Sequence, residues 1–268
     1  MRIKLIACEV LFREICLCAS RAKAVIDLTF LRRGLHSNPD MLRQEVQAHI
    51  DAVAAASEPP TPRSSGRARA GFSLFPDEEQ CQAVVLAYGL CSNGVAGLRA
   101  RDIPLVVPRA HDCITFLLGS KEEYGRLFSQ RPGTYYYSGG WIERRLDRVP
   151  RTPEDGAGLD LPFDELVAKY GRDNAEYLWE IQSNWVKHYT HAAHICMQLG
   201  DEEGYRDYVR RVAEEHGWNY DEITGNLSLL QALCDGEWDE ERFLVVPPGQ
   251  QIVATVGPDV IAARPPDW

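Results

Sequence analysis

No run of apolar residues in the chain approaches the roughly 20 that a bilayer-spanning helix needs, so no membrane role is expected. Positive charge is also in short supply: 29 Lys and Arg stand against 39 Asp and Glu, a net charge of −10. Nucleic acids and anionic membranes are bound by clustered Lys and Arg, so neither is an expected partner. The one basic run, residues 63–69, falls in a Pro/Ser/Arg/Ala/Gly stretch read as disordered. Several motifs are missing as well. Ala7-Cys8-Glu9-Val10 stands where a dinucleotide-binding GxGxxG would follow the first strand. There is no phosphate loop, no GxSxG elbow and no CxxC pair. The apolar run before Cys8 is too short for the core of a signal peptide, and Glu9, Arg13 and Glu14 follow at once. A cytoplasmic location is the expectation.

What the chain does have is cysteine, eight in 268 residues. Disulfides are not expected in the cytoplasm, which leaves metal binding or catalysis as the default reading. Cys16, Cys18, Cys196 and Cys234 lie in apolar helical patterns, where a free thiol behaves as a small hydrophobe. Cys81 borders a loop. Cys8, Cys91 and Cys113 differ, because each follows a short, β-branched apolar run too short for a helix.

Those runs define the expected fold. Strands are predicted at residues 2–7, 25–31, 83–87 and 105–107, with helices at 9–22, 39–56, 95–100, 113–118 and 119–128. This alternation, with right-handed crossovers, predicts an α/β fold: a doubly wound, mainly parallel Rossmann-like sheet over residues 1–131, with a flexible insertion at 57–71. A second, helix-rich α/β lobe is expected over 132–268. It would hold a tyrosine-rich strand at 134–138, a Pro/Gly-rich connection at 148–161, a long helical region at 164–199 and a helix at 202–216. Short strands at 218–220 and 243–246 would flank a helix at 227–233.

In an open parallel sheet the carboxyl ends of the strands share one edge, and ligands bind there. Cys8, Cys91, Cys113, His111 and His36 are therefore expected to meet. Thiolate and imidazole are the usual ligands of zinc and iron, and three Cys with one His form a tetrahedral set. Cys8, Cys91, Cys113 and His111 are the candidate metal ligands, His111 and Cys113 lying on a loop that enters a helix whose N-terminus favours thiolate. His36 is a fourth ligand, a general base or a neighbour of the site. Glu9, His36 and Arg109 are the candidate catalytic residues, Arg109 as a bidentate holder of carboxylate or phosphate. Asn93 and Asp112 are the candidate cofactor-binding residues. The plain alternatives are cysteines packed under loops and polar side chains capping helices or turns. A metal-free enzyme with Cys91 or Cys113 as nucleophile beside His111 is the chemical rival. His188, His191 and His194 share a three-residue spacing, but on a helix positions six apart cannot face one ion. They read as a solvated or half-buried helix face.

The words Ala7-Cys8-Glu9-Val10-Leu11-Phe12-Arg13-Glu14, Gly34-Leu35-His36, Tyr88-Gly89-Leu90-Cys91-Ser92-Asn93-Gly94 and Pro108-Arg109-Ala110-His111-Asp112-Cys113-Ile114 carry a resemblance. So do Pro132-Gly133-Thr134-Tyr135-Tyr136 and Gly140-Trp141. The chain resembles a bacterial and archaeal family catalogued as domain of unknown function 1638. Members of that family are often found near corrinoid-dependent methyltransferase systems that demethylate methylated amines or related compounds. The resemblance implies a metal-site enzyme of methyl-group or one-carbon metabolism, with a small-molecule substrate and a corrinoid protein or methyltransferase as partner. Zinc would act there as a Lewis acid, whereas an iron–sulfur cluster on three cysteines would leave one iron open. The alternatives are a non-catalytic zinc- or iron–sulfur-carrying accessory protein and the metal-free cysteine enzyme.

Overall fold

The computed structural model describes residues 1–57, 81–144, 163–172, 174–177 and 188–266, apart from the side chains of 55–57, 165 and 169. Most of the expected insertion at 57–71 and the whole connection at 148–161 lie outside those residues. The fold is mixed α/β around a mainly parallel five-stranded sheet. Strands β1 (Arg2–Cys8), β2 (Val25–Leu31), β3 (Ala83–Ala87) and β4 (Leu105–Pro108) are parallel, in the order β2-β1-β3-β4. The fifth position is taken by a strand from far along the chain, Phe243–Val246, running antiparallel to β4. That segment falls within the stretch assigned from sequence to the second lobe, so strand pairing does not follow a boundary at residue 131.

Helices cover both faces of this sheet. Alternate strand residues point to opposite sides: Ile3, Leu5, Ala7 and Val85 meet Ile15 and Cys18 of α1 (Phe12–Arg21) together with Leu230 and Leu233. Ile6, Val84, Leu86 and Leu105 meet Leu42, Val46 and Ile50 of α2 (Pro39–Ser57). The Leu, Ile and Val side chains are buried, each contributing about 1.5–3 kcal/mol by leaving water. A 3₁₀ turn, Glu9–Leu11, precedes α1, so the first helix starts later than its apolar pattern suggests. After β3 the expected helix at 95–100 is instead turns to residue 97 and then a bridge from Arg99 to Gln251. Helices α3 (Cys113–Leu118) and α4 (Lys121–Gln130) follow β4.

A second, three-stranded parallel sheet is built from β5 (Thr134–Ser138), β6 (His191–Cys196) and β7 (Asn219–Thr224), in that order. Strand β6 corrects the expected helical reading of 164–199. That region contains a helix, α6 (Phe163–Tyr170), but His191 and His194 sit on a strand. The Ala-rich sequence favours a helix by propensity, yet it is buried between β5 and β7, where small side chains let packed layers approach. His188 is exposed, His191 half-buried and His194 fully buried, so no shared helix face exists. One face of this sheet, with Ala193 and Ile195, joins the core of the first. The other, with Tyr137 and Ala192, packs on Tyr205 and Val209 of α7 (Glu202–His216). Helix α8 (Ser228–Asp235) returns the chain to α1, and β8 (Phe243–Val246) closes the sheet edge. An antiparallel pair, β9 (Gln251–Ala254) with β10 (Ile261–Arg264), ends the fold. Among the described residues no helix is long and apolar enough to cross a membrane.

Candidate functional site

Three adjacent strand ends build the site. Strand β1 delivers Cys8 at its last position, the loop after β3 delivers Cys91, and the loop after β4 delivers His111 and Cys113. The two latter loops run side by side, with Leu90 N–H donating to the Ala110 carbonyl (2.8 Å) and Cys91 N–H to the His111 carbonyl (2.9 Å). Only glycine permits that approach, since a β-carbon on Gly89 would stand 2.6 Å from the Asp112 nitrogen. Cys91, Ser92 and Asn93 then adopt three consecutive left-handed conformations, with φ of 46°, 55° and 67°. Each costs a residue with a β-carbon roughly 1–2 kcal/mol. The turn is held by its bonds to the neighbouring loop and by Arg43, which donates to the Asn93 and Ala96 carbonyls.

Asp112 starts α3. Its Oδ1 accepts from Ile114 N–H (3.0 Å) and Thr115 N–H (3.4 Å), and its Oδ2 accepts from the Tyr124 hydroxyl (3.3 Å). This N-cap fixes the direction in which Cys113, the first helical residue, leaves the loop. Gly34, with φ of 98°, turns the chain after β2 so that His36 faces the same space.

The result is a cavity of about 400 Å³, within the usual range for small-molecule sites. Cys8, Cys91 and Cys113 line it, with His36, His111 and Asp112. Burial pushes the Cys8 thiol up to about 11 and the Cys91 thiol up to about 12, the latter with help from Cys8. Cys113 is raised well above the ordinary thiol value by burial, then by Asp112, Cys8 and Cys91. Each thiolate thus disfavours the others. Tyr88 is 4% exposed, and its hydroxyl lies against Cys8 without a well-formed hydrogen bond to any described residue.

Another part of the lining is aromatic and comes from β5 and the helices α4 and α5 (Gly139–Glu143), with Tyr189 from before β6. Tyr135, Tyr136, Trp141 and Tyr189 line the cavity together with Tyr124. Tyr135 meets Trp141 and Tyr189 edge to face, at centroid distances of 6.3 and 5.2 Å. These residues are absent from the expected site. The run Thr134–Ser138 with Gly139-Gly140-Trp141 was visible as a feature, but nothing local shows that it faces the cysteines.

Other expected site residues are placed elsewhere. Arg109 does not line the cavity; it donates to the carbonyls of Glu240 (2.9 Å), Asp259 (3.0 Å) and Ile261 (2.7 Å) and so ties down the C-terminal segment. Glu9 accepts from Arg33 N–H (2.8 Å) and pairs with Arg144 (3.0 Å), clasping β1 to the segment after β5. Asn93 is exposed on the left-handed turn, outside the lining. Arg32, which the sequence reading passed over, does line the cavity.

The family model described as "Protein of unknown function (DUF1638)" matches residues 30–234. The chain belongs to that family. No curated protein and no solved structure matches it. The DUF1638 match includes Cys91, His111 and Cys113, whereas Cys8 lies before it, on β1, which pairs between β2 and β3 in the same sheet. As the side chains of this DUF1638 chain stand, no three His, Cys, Asp or Glu among the described residues are set to hold a metal ion. The donors share a cavity; they do not converge on one point within it.

Proposed function

We propose that the cavity is the catalytic centre of a metal-dependent enzyme, with Cys8, Cys91 and Cys113 as its soft ligands and His111 or His36 as the fourth. The observation that supports this is the meeting of three thiols, from three neighbouring strand ends, at one open space. By chemical type these donors suit zinc or an iron–sulfur cluster. As they stand the donors do not converge on one point, so gripping either would require them to move together.

Burial pushes all three thiols up; a nucleophile and a metal ligand both act as thiolate, and a bound cation would itself supply the charge that draws off the proton. The buried Tyr88 hydroxyl lies against Cys8 without a well-formed partner among the described residues, and a metal-held thiolate at Cys8 would accept from it. The aromatic wall favours an enzyme over a metal carrier, since a carrier has no need of a substrate-sized surface beside its ligands. Bound there, zinc would supply Lewis-acid activation, and a cluster on three cysteines an open iron. The reading takes the first sheet as doubly wound and Rossmann-like, and the protein as cytoplasmic. The family resemblance directs the reaction to methyl-group or one-carbon metabolism, with any corrinoid carried by a partner.

Metal and acid-labile sulfide analysis of protein purified without oxygen tests the proposal. Stoichiometric metal is expected in the wild type, lost in Cys8→Ser, Cys91→Ser and Cys113→Ser and retained in Cys196→Ser. Broad visible absorption with sulfide identifies a cluster, and colourless protein with zinc identifies the Lewis acid. A folded wild type that takes up neither metal sinks the idea and returns the thiol enzyme.

A further inference from the structure

Outside the cavity lining lies a group of buried titratable side chains that the proposed chemistry does not use. Glu14 of α1 is almost wholly buried, and its Oε2 has no hydrogen-bond partner among the described residues. At the start of α7, Glu202 accepts from Leu199 N–H (2.9 Å) through one oxygen. Its other oxygen is buried and stands 3.5 Å from the His194 ring without a formed hydrogen bond. The three residues come from separate layers: α1 packs on the first sheet, β6 is the middle strand of the second, and α7 covers that second sheet.

A short chain of contacts ties Glu14 to the cavity through α5. Arg13, its neighbour on α1, donates to both oxygens of Glu143, at 3.0 Å from Nε to each and 2.6 Å from Nη2 to one of them. Glu143 also accepts from the Tyr205 hydroxyl of α7. It is the last residue of α5, and Trp141 of the same short helix lines the cavity. The groups that face Glu14 are Glu143 and Glu202, which both resist its ionisation, and Arg13, which favours it. Cys16 and Cys18 on its own helix are held as neutral thiols by burial. Beyond Glu202, burial keeps the His194 imidazole below its ordinary pKa, with Arg206 adding to the effect and Glu202 and Glu222 opposing it. Cys196, beside Glu202, is raised by burial. His194 is thus uncharged when Glu14 ionises, and supplies no positive charge to balance it.

From this arrangement we infer that Glu14 is a proton switch for the cavity: with its proton it lets α5 lie against α1, and without it α5 is loosened and carries Trp141 away. The charge gained by Glu14 faces Glu143 across Arg13, so the ion pair that anchors α5 must share its cation with a second buried carboxylate. The aromatic part of the lining is therefore closed in mild acid and opens as the pH rises. This is regulation of the proposed site and rests on that reading for its purpose, although the movement itself requires only the cluster and α5.

Fluorine NMR on protein labelled with 5-fluorotryptophan tests this, the Trp141 signal being assigned with Trp141→Phe. The wild type is expected to show a step in that signal with its midpoint at about 7. Glu14→Gln is expected to lose the step, and Glu202→Gln to move it to lower pH by removing a charge that opposes ionisation. Hydrogen exchange at short labelling times reads the movement itself. Amides of α5 are expected to exchange faster in the wild type than in Glu14→Gln at about pH 8 and alike at about pH 5. Those of α2, on the other face of the first sheet, are expected to be alike at both. No step, a step that survives Glu14→Gln, a Glu202→Gln midpoint that does not fall, or α5 exchange indifferent to Glu14 overturns the inference. Metal content is measured on the same samples. A metal-free protein whose Trp141 still follows Glu14 defeats the metal reading alone, and a metal-loaded one whose Trp141 does not follow it defeats the switch alone.

Discussion

Glu14 shows how much of this molecule is decided by single side chains in unusual surroundings. It sits on α1 with 2% of its surface exposed, and its Oε2 has no hydrogen-bond partner among the described residues. Burial pushes its carboxyl up to about 7, with Glu143 and Glu202 adding to the rise and Arg13 opposing it. The folded chain thus keeps a proton that the unfolded chain releases near the ordinary value of 4.5. The native state binds more protons between those values, so this part of the stability is present below about 4.5 and falls as pH rises through about 7. Glu14→Gln is expected to match the wild type near pH 5 and to exceed it by about 1–3 kcal/mol at pH 8. Urea titrations at the two pH values check this, and a difference independent of pH would refute it. Legibility at this scale depends on the distance to a partner. Cys8, Cys91 and Cys113 could be read as strand-end residues because each follows its own apolar run. Glu9 and Arg109 could not, because what occupies them is 24 and 135 residues away for Glu9 and 131 or more for Arg109.

Among the elements, α5 (Gly139–Glu143) is the joint between the two sheets. It follows β5, presents Trp141 to the cavity, and pairs Glu143 with Arg13 at 2.6 Å. Its Gly140 lies so close to the 3₁₀ turn after β1 that a β-carbon would overlap the Val10 carbonyl. Gly140→Ala should therefore cost at least about 1–3 kcal/mol by overpacking and lower metal uptake by displacing the Cys8 strand end. Gly125→Ala, in open space on α4, should instead stabilise by up to about 1 kcal/mol. Denaturant unfolding of both variants tests the pair; a harmless Gly140→Ala would show that the joint is loose. Elements set by local pattern were readable, as β2, β3 and α3 show. Strand β6 was not, because Ala192 and Ala193 carry a helical preference that only burial between two other strands reverses.

For the molecule as a whole, the strand order has a consequence for what can fold alone. The segment 30–234 that matches the family model omits β1 and all but the last two residues of its neighbour β2, and also β8, which covers β4. That segment is expected to lack cooperative thermal unfolding by circular dichroism, whereas the full chain melts as a unit. A sharp transition in the fragment would mean that β3 and β4 hold together without the strands on either side of them. The pairing of β8 with β4 was also invisible in the sequence, since a four-residue apolar run does not say which edge, more than a hundred residues away, it will join. The turn at Cys91–Asn93 has a stranger implication. For three residues the backbone coils with the hand natural to D-amino acids, although the chain is built of the L forms. Mirror-image serine at position 92, introduced by chemical synthesis, would sit there without the strain its natural counterpart bears. Almost anywhere else in this fold the same exchange would be ruinous.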